Sequence, residues 1–523
     1  MSEHRSFYRK ITYLVLIAVL LFPISQLGAP ATVEDRGGLL ARLRSDHELG
    51  QADLGEIDPS SETIRLATLG LRGIAVSLLW SKATEYKKKE DWTNFRATLG
   101  QLSKLQPYFI SFWRYQAWNL SYNVSVELDD LQDRYHYVKR GIEFLKEGIK
   151  YNRFSPYLLS DLGWFIGNKI GRADEHEQYR KMFRLDDDFH PADRPPELRD
   201  NWLVSKKWYQ DAVSAVDDQK KSLGNKNPTT FFDKPAMAHI NYSSAIEEEG
   251  TFGEKARTAW ATAERMWNDY GNRAMRSSRG IMIQLASYER WEKDTQELEE
   301  QLENLLTGAR EELAAQRRAG LTPEKLAVLE LAEDDLTVEQ LDLKAEAEKE
   351  LVLEPLDFAD YIAQKAPEKV AEARKLVNRI TEYRNRLFLI RNNRQVSNYE
   401  YWDTRCKFEQ TAEALSAREL AFLARRTFLE GDLLEAKRLY EESFDMWAQV
   451  IRAFPSVNDD TATGADIMEY ILKYREVLEQ LDLTLNDDEV HDRFALWDFL
   501  VDNDAERKFV EEIEQHKARK QDK

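Results

Sequence analysis

Three groups of residues in this chain have types and spacings that chemistry could use. Asp186-Asp187-Asp188 with His190 sets three carboxylates and an imidazole close together, as a metal site would. A calcium loop needs several oxygens at loop spacing and a turn glycine, and no such glycine stands here. A solvated acidic loop is therefore the expectation, with no metal site. The eight histidines (His4, His47, His136, His176, His190, His239, His491 and His516) contain no His-x-x-x-His pair and no HExxH spacing. No Gly-x-x-x-x-Gly-Lys phosphate loop and no Gly-x-Ser-x-Gly elbow occurs. No catalytic residue and no cofactor site is expected. The second group is Phe112, Trp113, Tyr115 and Trp118. At helical spacing such residues pack between helices, or they line a ligand groove; the sequence leaves both open. The third is the glycosylation pattern at Asn119, Asn123 and Asn241, but each falls inside an expected helix, where modification is disfavoured. Cys406, the lone cysteine, reads as a small packed residue and forms no intramolecular disulfide.

The elements that must position these residues follow from the totals and the periodicity. A chain of 523 residues is too long for one core and suggests two or three domains or an extended array. Its 42% apolar content is enough to fold, and 13 Trp with 22 Tyr suit helices that interlock large side chains. A net charge of −19 gives no support for a nucleic-acid partner.

Residues 1–10 carry Arg5, Arg9 and Lys10, and the uncharged run Ile11 to Leu27 follows. Seventeen helical residues span about 25 Å, slightly short of a ~30 Å hydrocarbon core. The expectation is a transmembrane anchor at 11–28, with 1–10 cytoplasmic and the bulk on the outer, periplasmic-type side. The competing possibility is a cleaved signal peptide, since Ala29-Pro30-Ala31 is an A-x-A pattern. Both export the bulk. Residues 29–57 read as a polar, Gly-containing linker. The run Leu71 to Trp80 is apolar but too short to span and reads as a buried first helix.

From 58 the chain reads as paired helices. One pair is Ile64 to Pro107, with Ala83 and Tyr86 facing Phe95, Leu99 and Leu102 across a polar turn at Lys87 to Asp91. Further pairs cover 110–151, 157–183 and 235–270, the last with Ala256, Trp260, Ala263 and Trp267. The segment 184–200 interrupts with three prolines. The clearest pair is Ala417 to Pro455. Its faces carry Leu420, Leu423 and Ala424, then Ala436, Tyr440 and Phe444, around a turn at Glu430-Gly431-Asp432. This segment resembles a tetratricopeptide (TPR) repeat, a helix-turn-helix unit of about 34 residues. The resemblance implies a binding scaffold rather than an enzyme, and the layout is similar to membrane-anchored TPR-like proteins of bacteria.

Residues 276–395 differ in composition. Trp291, Leu298, Leu302 and Leu305 recur among glutamates, and Val370, Ala373, Val377, Ile380 and Tyr383 recur among arginines and lysines. An inserted antiparallel helical hairpin with charge-matched arms is the expectation, against two unrelated amphipathic helices. Its tip would hold short helices starting near Thr322 and Thr337. Residues 396–501 complete the repeats with capping helices, Tyr470, Ile471, Tyr474 and Leu478 facing inward, and 502–523 form a charged tail.

The expected fold is all-α: an irregular TPR-like solenoid over 58–275 and 396–501 with an inserted hairpin and an N-terminal transmembrane helix. The expected function is a membrane-anchored scaffold that binds a partner protein's peptide or helix in a concave groove. The alternatives are an envelope enzyme or sugar-binding protein on a helical toroid, and a tether that oligomerises through the hairpin.

Overall fold

The computed structural model describes residues 72–332 and 336–521, with the isolated positions 15, 16, 19, 39 and 42. The expected N-terminal stretch 1–10, anchor 11–28 and linker 29–57 therefore lie outside the described residues except at those positions. Among the described residues, no helix is long and apolar enough to cross a membrane. The described chain is almost wholly helical and forms two compact units. Of the described residues, the first comprises those up to 226 with 237–242, and the second 227–236 with those from 243 onward. The division thus falls inside 58–275, which the sequence suggested as one run.

The first unit holds α1 (Arg72–Lys88), α2 (Trp92–Leu105), α3 (Ile110–Trp118), α4 (Leu131–Tyr151), α5 (Pro156–Trp164), α6 (His176–Leu185) and α7 (Asn201–Asp217). Acidic and hydroxyl caps start several of them. Asp91 accepts from the amide of Asn94, Asp130 from those of Gln132 and Asp133, and Asp200 from that of Trp202. Ser155 caps α5 with Pro156 at its first position, where a missing N–H costs nothing. The core is aromatic and aliphatic: Phe95, Leu99, Trp113, Val138, Ile142, Leu162 and Phe183 are all buried. Helix α1 corrects one expectation. Ala83 is buried, but Ile74 and Leu78 are 60% and 62% exposed. Apolar residues run round its whole circumference, and one side packs against α2.

The second unit begins with α8 (Pro228–Phe232) and α9 (Lys234–Glu248), whose residues 237–242 group with the first unit. It continues through α10 (Glu254–Asn272) to a two-stranded antiparallel ribbon, β1 (Met275–Arg276) and β2 (Met282–Ile283), a small departure from all-α. Then come α11 (Tyr288–Asn304), α12 (Ala309–Ala319), α13 (Pro323–Leu329), α14 (Val338–Leu351), α15 (Pro355–Lys365) and α16 (Val370–Ser397). Thr322 caps α13, and Thr337 forms a capping box with Gln340 on α14.

Helices α11 and α16 lie antiparallel. Glu289 bonds Arg394 at 2.7 Å, Glu299 bonds Arg384 at 2.8 Å, and the Leu305 carbonyl accepts from Lys369 at 2.8 Å. Partners thus climb on one helix as they descend on the other. Arg386 instead lies over the Trp291 ring, 4.2 Å from its centroid. Arg379 reaches Tyr383 on its own helix.

The unit closes with α17 (Tyr399–Glu409), α18 (Ala412–Glu430), α19 (Leu433–Ala453), α20 (Thr461–Gln480), α21 (Asp488–Arg493), α22 (Trp497–Asn503) and α23 (Val510–Gln521). Gly431 ends α18 at φ 89°, a left-handed angle that a side chain would strain. Asp432 then caps α19. Ala436, Tyr440 and Phe444 are buried as the spacing suggests, but Leu420 and Leu423 are only half-buried. The stripe of α18 that goes under is Ala414, Ala417, Ala421 and Ala424. Small residues bring the two backbones close enough for the Ser443 hydroxyl to donate to the Ala417 carbonyl at 2.7 Å.

Candidate binding surface

A stripe of buried charge lies inside the second unit. Arg418 donates to both oxygens of Glu409, at 2.6 and 2.7 Å, and to Asp466 at 3.3 Å. Arg405 reaches the same Glu409 at 3.3 Å. Glu247 lies 3.8 Å from Arg418 and accepts from the Trp260 indole at 2.9 Å. Glu409 is wholly buried and Glu247 nearly so. Burial, with Glu409 nearby, pushes the Glu247 carboxyl up to about 8. Desolvation acts downward on Arg418, yet Glu409 holds it well above its usual value. A raised carboxyl in a cleft is a common general acid. This one is sealed among α9, α10, α17 and α18, with the Trp260 indole bonded to it and Arg418 3.8 Å away, so its arrangement locks helices together.

The other singled-out residues also have structural partners. Asp186 accepts from Lys139 at 2.8 Å and from Tyr135 at 3.1 Å, and Asp187 pairs with Arg199 at 2.6 Å. His190 is buried with its Nε2 against the Phe183 carbonyl at 2.7 Å. Among the described residues, no group of three or more such side chains is placed to hold a metal ion. Cys406 is buried, and its thiol is pushed up by desolvation, so it packs rather than reacts. Asn119 is 2% exposed, too deep for a glycan. Asn123 and Asn241 are half-buried and hydrogen-bonded within helical segments.

The aromatic run on α3 is split between core and surface. Phe112 and Trp113 are buried; Tyr115 and Trp118 are 52% and 42% exposed. The close seating of α3 on α4 comes from glycine. A Cβ on Gly148 would sit 2.6 Å from the Trp113 ring, so only glycine leaves room for that indole. Trp113 in turn donates to the Pro107 carbonyl at 2.8 Å.

Beyond Trp118 the helix loosens into a π-helical turn, Asn119–Val124. The end of α5 does the same at Phe165–Lys169. Such turns are uncommon and often mark functional positions. Here the two adjoin. Trp118 stacks on Tyr122 with centroids 4.2 Å apart, and on Trp164 at 5.7 Å, all within 15° of parallel. Tyr122 and Trp164 are 5.5 Å apart, and the Lys169 ammonium lies 4.7 Å from the Tyr122 centroid. Burial lowers the Lys169 pKa.

Beside this stack, Trp80 of α1 lies against Tyr115, centroids 5.8 Å apart at 32°. Trp80, Phe95, Tyr115, Gln116, Asn119 and Lys87 help to line a groove of about 460 Å³. Lys87 donates to Asn119 at 3.0 Å, and Asn119 donates to Gln116 at 3.3 Å. A second groove, of about 430 Å³, opens in the second unit between α15 and α16, lined by Glu354, Leu356, Arg384 and Phe388 among others.

The sequence named Tyr115 and Trp118 but not Trp80, Tyr122, Trp164 or the amides between them. A tryptophan every few residues in α3 and again at Trp164 was the available signal. No protein-family model matches this chain, and neither does any curated protein.

Proposed function

We propose that this chain is an interaction scaffold, a TPR-like helical array that binds a segment of a partner protein on the aromatic face of its first unit. The observation that carries this assignment is the half-exposed row Trp80, Tyr115 and Trp118 beside an open groove. Water-exposed tryptophan and tyrosine in one patch are what partner-binding surfaces concentrate, because each buries a large area at little entropic cost. Stacking of Trp118 on Tyr122 and Trp164 holds that indole in place before a partner arrives. The buried carboxylate of Glu409, of the kind that an enzyme on a helical toroid would need, is instead bonded to Arg405 and Arg418.

The array is proposed to stand on the outer side of a membrane, held there by the apolar run Ile11 to Leu27. Crosslinking in intact cells, solubilisation, capture through a C-terminal tag and mass spectrometry test the scaffold. A small partner set crosslinked to the α3 face is the expected result. Recovery of the chain alone, or only with itself, overturns it.

A further inference from the structure

Resting on the membrane placement proposed above, we infer that the exposed face of α1 lies on an anionic phospholipid surface. A helix that is apolar all round calls for cover all round. Helix α1 has one side on α2, yet Ile74 and Leu78 stay largely exposed on another. At 3.6 residues per turn, Ile74, Leu78, Ser81 and Glu85 fall in one stripe, with Lys82 on one flank and Lys88 on the other. Trp80, two residues beyond Leu78, points about 160° away from it, so the stripe is not the aromatic groove.

Charge and the course of the chain both point to lipid as the cover. The whole chain carries 93 Asp and Glu against 74 Lys and Arg. Within α1 the balance reverses: Arg72, Lys82, Lys87 and Lys88 stand against Glu85 alone, and Lys89 follows. Lys89 takes up Glu85 at 2.6 Å, and Lys87 donates to Asn119 at 3.0 Å. Lys82 and Lys88 are exposed and form no ion pair among the described residues, so both ammonium groups are open to an outside anion. Aliphatic side chains beside unpaired lysines make up a helix that lies in the headgroup layer, with its apolar atoms in the acyl boundary and its ammonium groups at the phosphates. Helix α1 is also the first helix described after the apolar run Ile11 to Leu27, and it starts 45 positions downstream. An anchor in that run keeps α1 within reach of the bilayer, where each unpaired lysine gains from anionic headgroups.

The test uses the full chain with vesicles of phosphatidylcholine that contain phosphatidylglycerol and a nitroxide lipid. Cys406 is buried, so Ser81→Cys supplies the one thiol that a fluorophore reaches in the folded chain. Leu185→Cys, at the exposed end of α6, is the reference. The label at 81 is expected to be quenched by the lipid nitroxide and shielded from iodide, and the label at 185 to behave in the opposite way. Lys82→Gln and Lys88→Gln are each expected to lower the docked-to-undocked ratio about fivefold, and Leu78→Ser about tenfold. All three side chains are exposed, so the variants fold. A label at 81 that stays open to iodide overturns the inference. So does one shielded from both quenchers, which assigns the face to residues 43–71 or to a second copy of the chain. Equal quenching in phosphatidylcholine alone overturns the anionic surface. The anchor fails separately. A chain that molar salt strips from the vesicles, after quenching at 81 was seen, keeps this face and loses the anchor. A chain that resists the wash with its label in water keeps the anchor and loses this face.

Discussion

Replacing Glu247 with glutamine isolates the buried charge cluster of the second unit. The amide keeps an acceptor for the Trp260 indole and cannot ionise. In the folded chain the Glu247 carboxyl titrates near 8, against an ordinary 4.5. Below about pH 4.5 both the folded and unfolded chains hold this proton, and it does not affect stability. As pH rises, the unfolded chain releases it and the folded chain does not. Stability therefore falls by about 1.4 kcal/mol per pH unit until the folded group ionises. Between about pH 5 and pH 7.5 the loss is up to roughly 3 kcal/mol, an upper bound because the surrounding arginines relax.

At roughly 2–4 °C per kcal/mol for a unit of this size, that is at most about 6–12 °C in Tm. Calorimetry of both proteins at the two pH values is the assay, because groups common to both cancel. Glu247→Gln is expected to match the parent near pH 5 and to melt several degrees higher near pH 7.5. A Tm difference that does not change with pH, or a variant less stable at pH 7.5, refutes the protonated, desolvated carboxyl.

Other predictions concern the rest of the fold. Gly148→Ala places a methyl on the Trp113 ring, and a melt should show a loss of about 1–3 kcal/mol. Arg384→Glu breaks the bridge to Glu299 and Glu354. Because Arg384 is 43% exposed, the cost is at most about 1 kcal/mol and shrinks in high salt. Arg379→Glu should leave Tm unchanged in the same experiment.

His516 faces His491 at 3.0 Å and stacks on Trp497. Burial, with Lys520, His491 and Arg519 nearby and Asp498 opposing, depresses its pKa below 6.5. This contribution to stability is therefore present above about pH 6.5 and lost as pH falls through the lower folded value. Protection factors along α23, corrected for the intrinsic pH dependence of amide exchange, should fall on acidification, and His516→Phe should abolish that fall.

The parts of the fold that follow a 3.6-residue period were legible in the sequence. The turn at Gly431, the buried Ala436, Tyr440 and Phe444, and the capped starts after Thr322 and Thr337 all stand where their residue chemistry puts them. Reading hydrophobicity alone found the edge of the α18 contact face, the half-buried Leu420 and Leu423 beside Ala424, but missed its centre. Leucine outweighs alanine on such scales, yet close approach of two backbones selects Ala417, Ala421 and Ala424. Charged residues read as solvent-facing, so the burial of Glu409 and Arg418 was invisible; only their partners make it tolerable.

The same holds for the exposed side of α1, where Ile74 and Leu78 look like core residues until the neighbouring helices are placed. The π-helical turns leave no mark in a pattern of apolar residues, and two-residue strands are too short to show alternation. On the candidate surface, the aromatic run was legible, but not which rings face inward. That is decided by Gly148, which draws Trp113 under and leaves Tyr115 and Trp118 outside.

The most direct test of the scaffold is a pair of site-specific photo-crosslinkers in intact cells. One replaces Trp118 with a photoreactive phenylalanine. The other replaces Leu185, which is 79% exposed at the end of α6 and outside the aromatic face. The scaffold predicts a discrete protein adduct at 118 and none at 185, with the adduct at 118 diminished by Tyr115→Ala. No adduct at either position, or the same adducts at both, contradicts it.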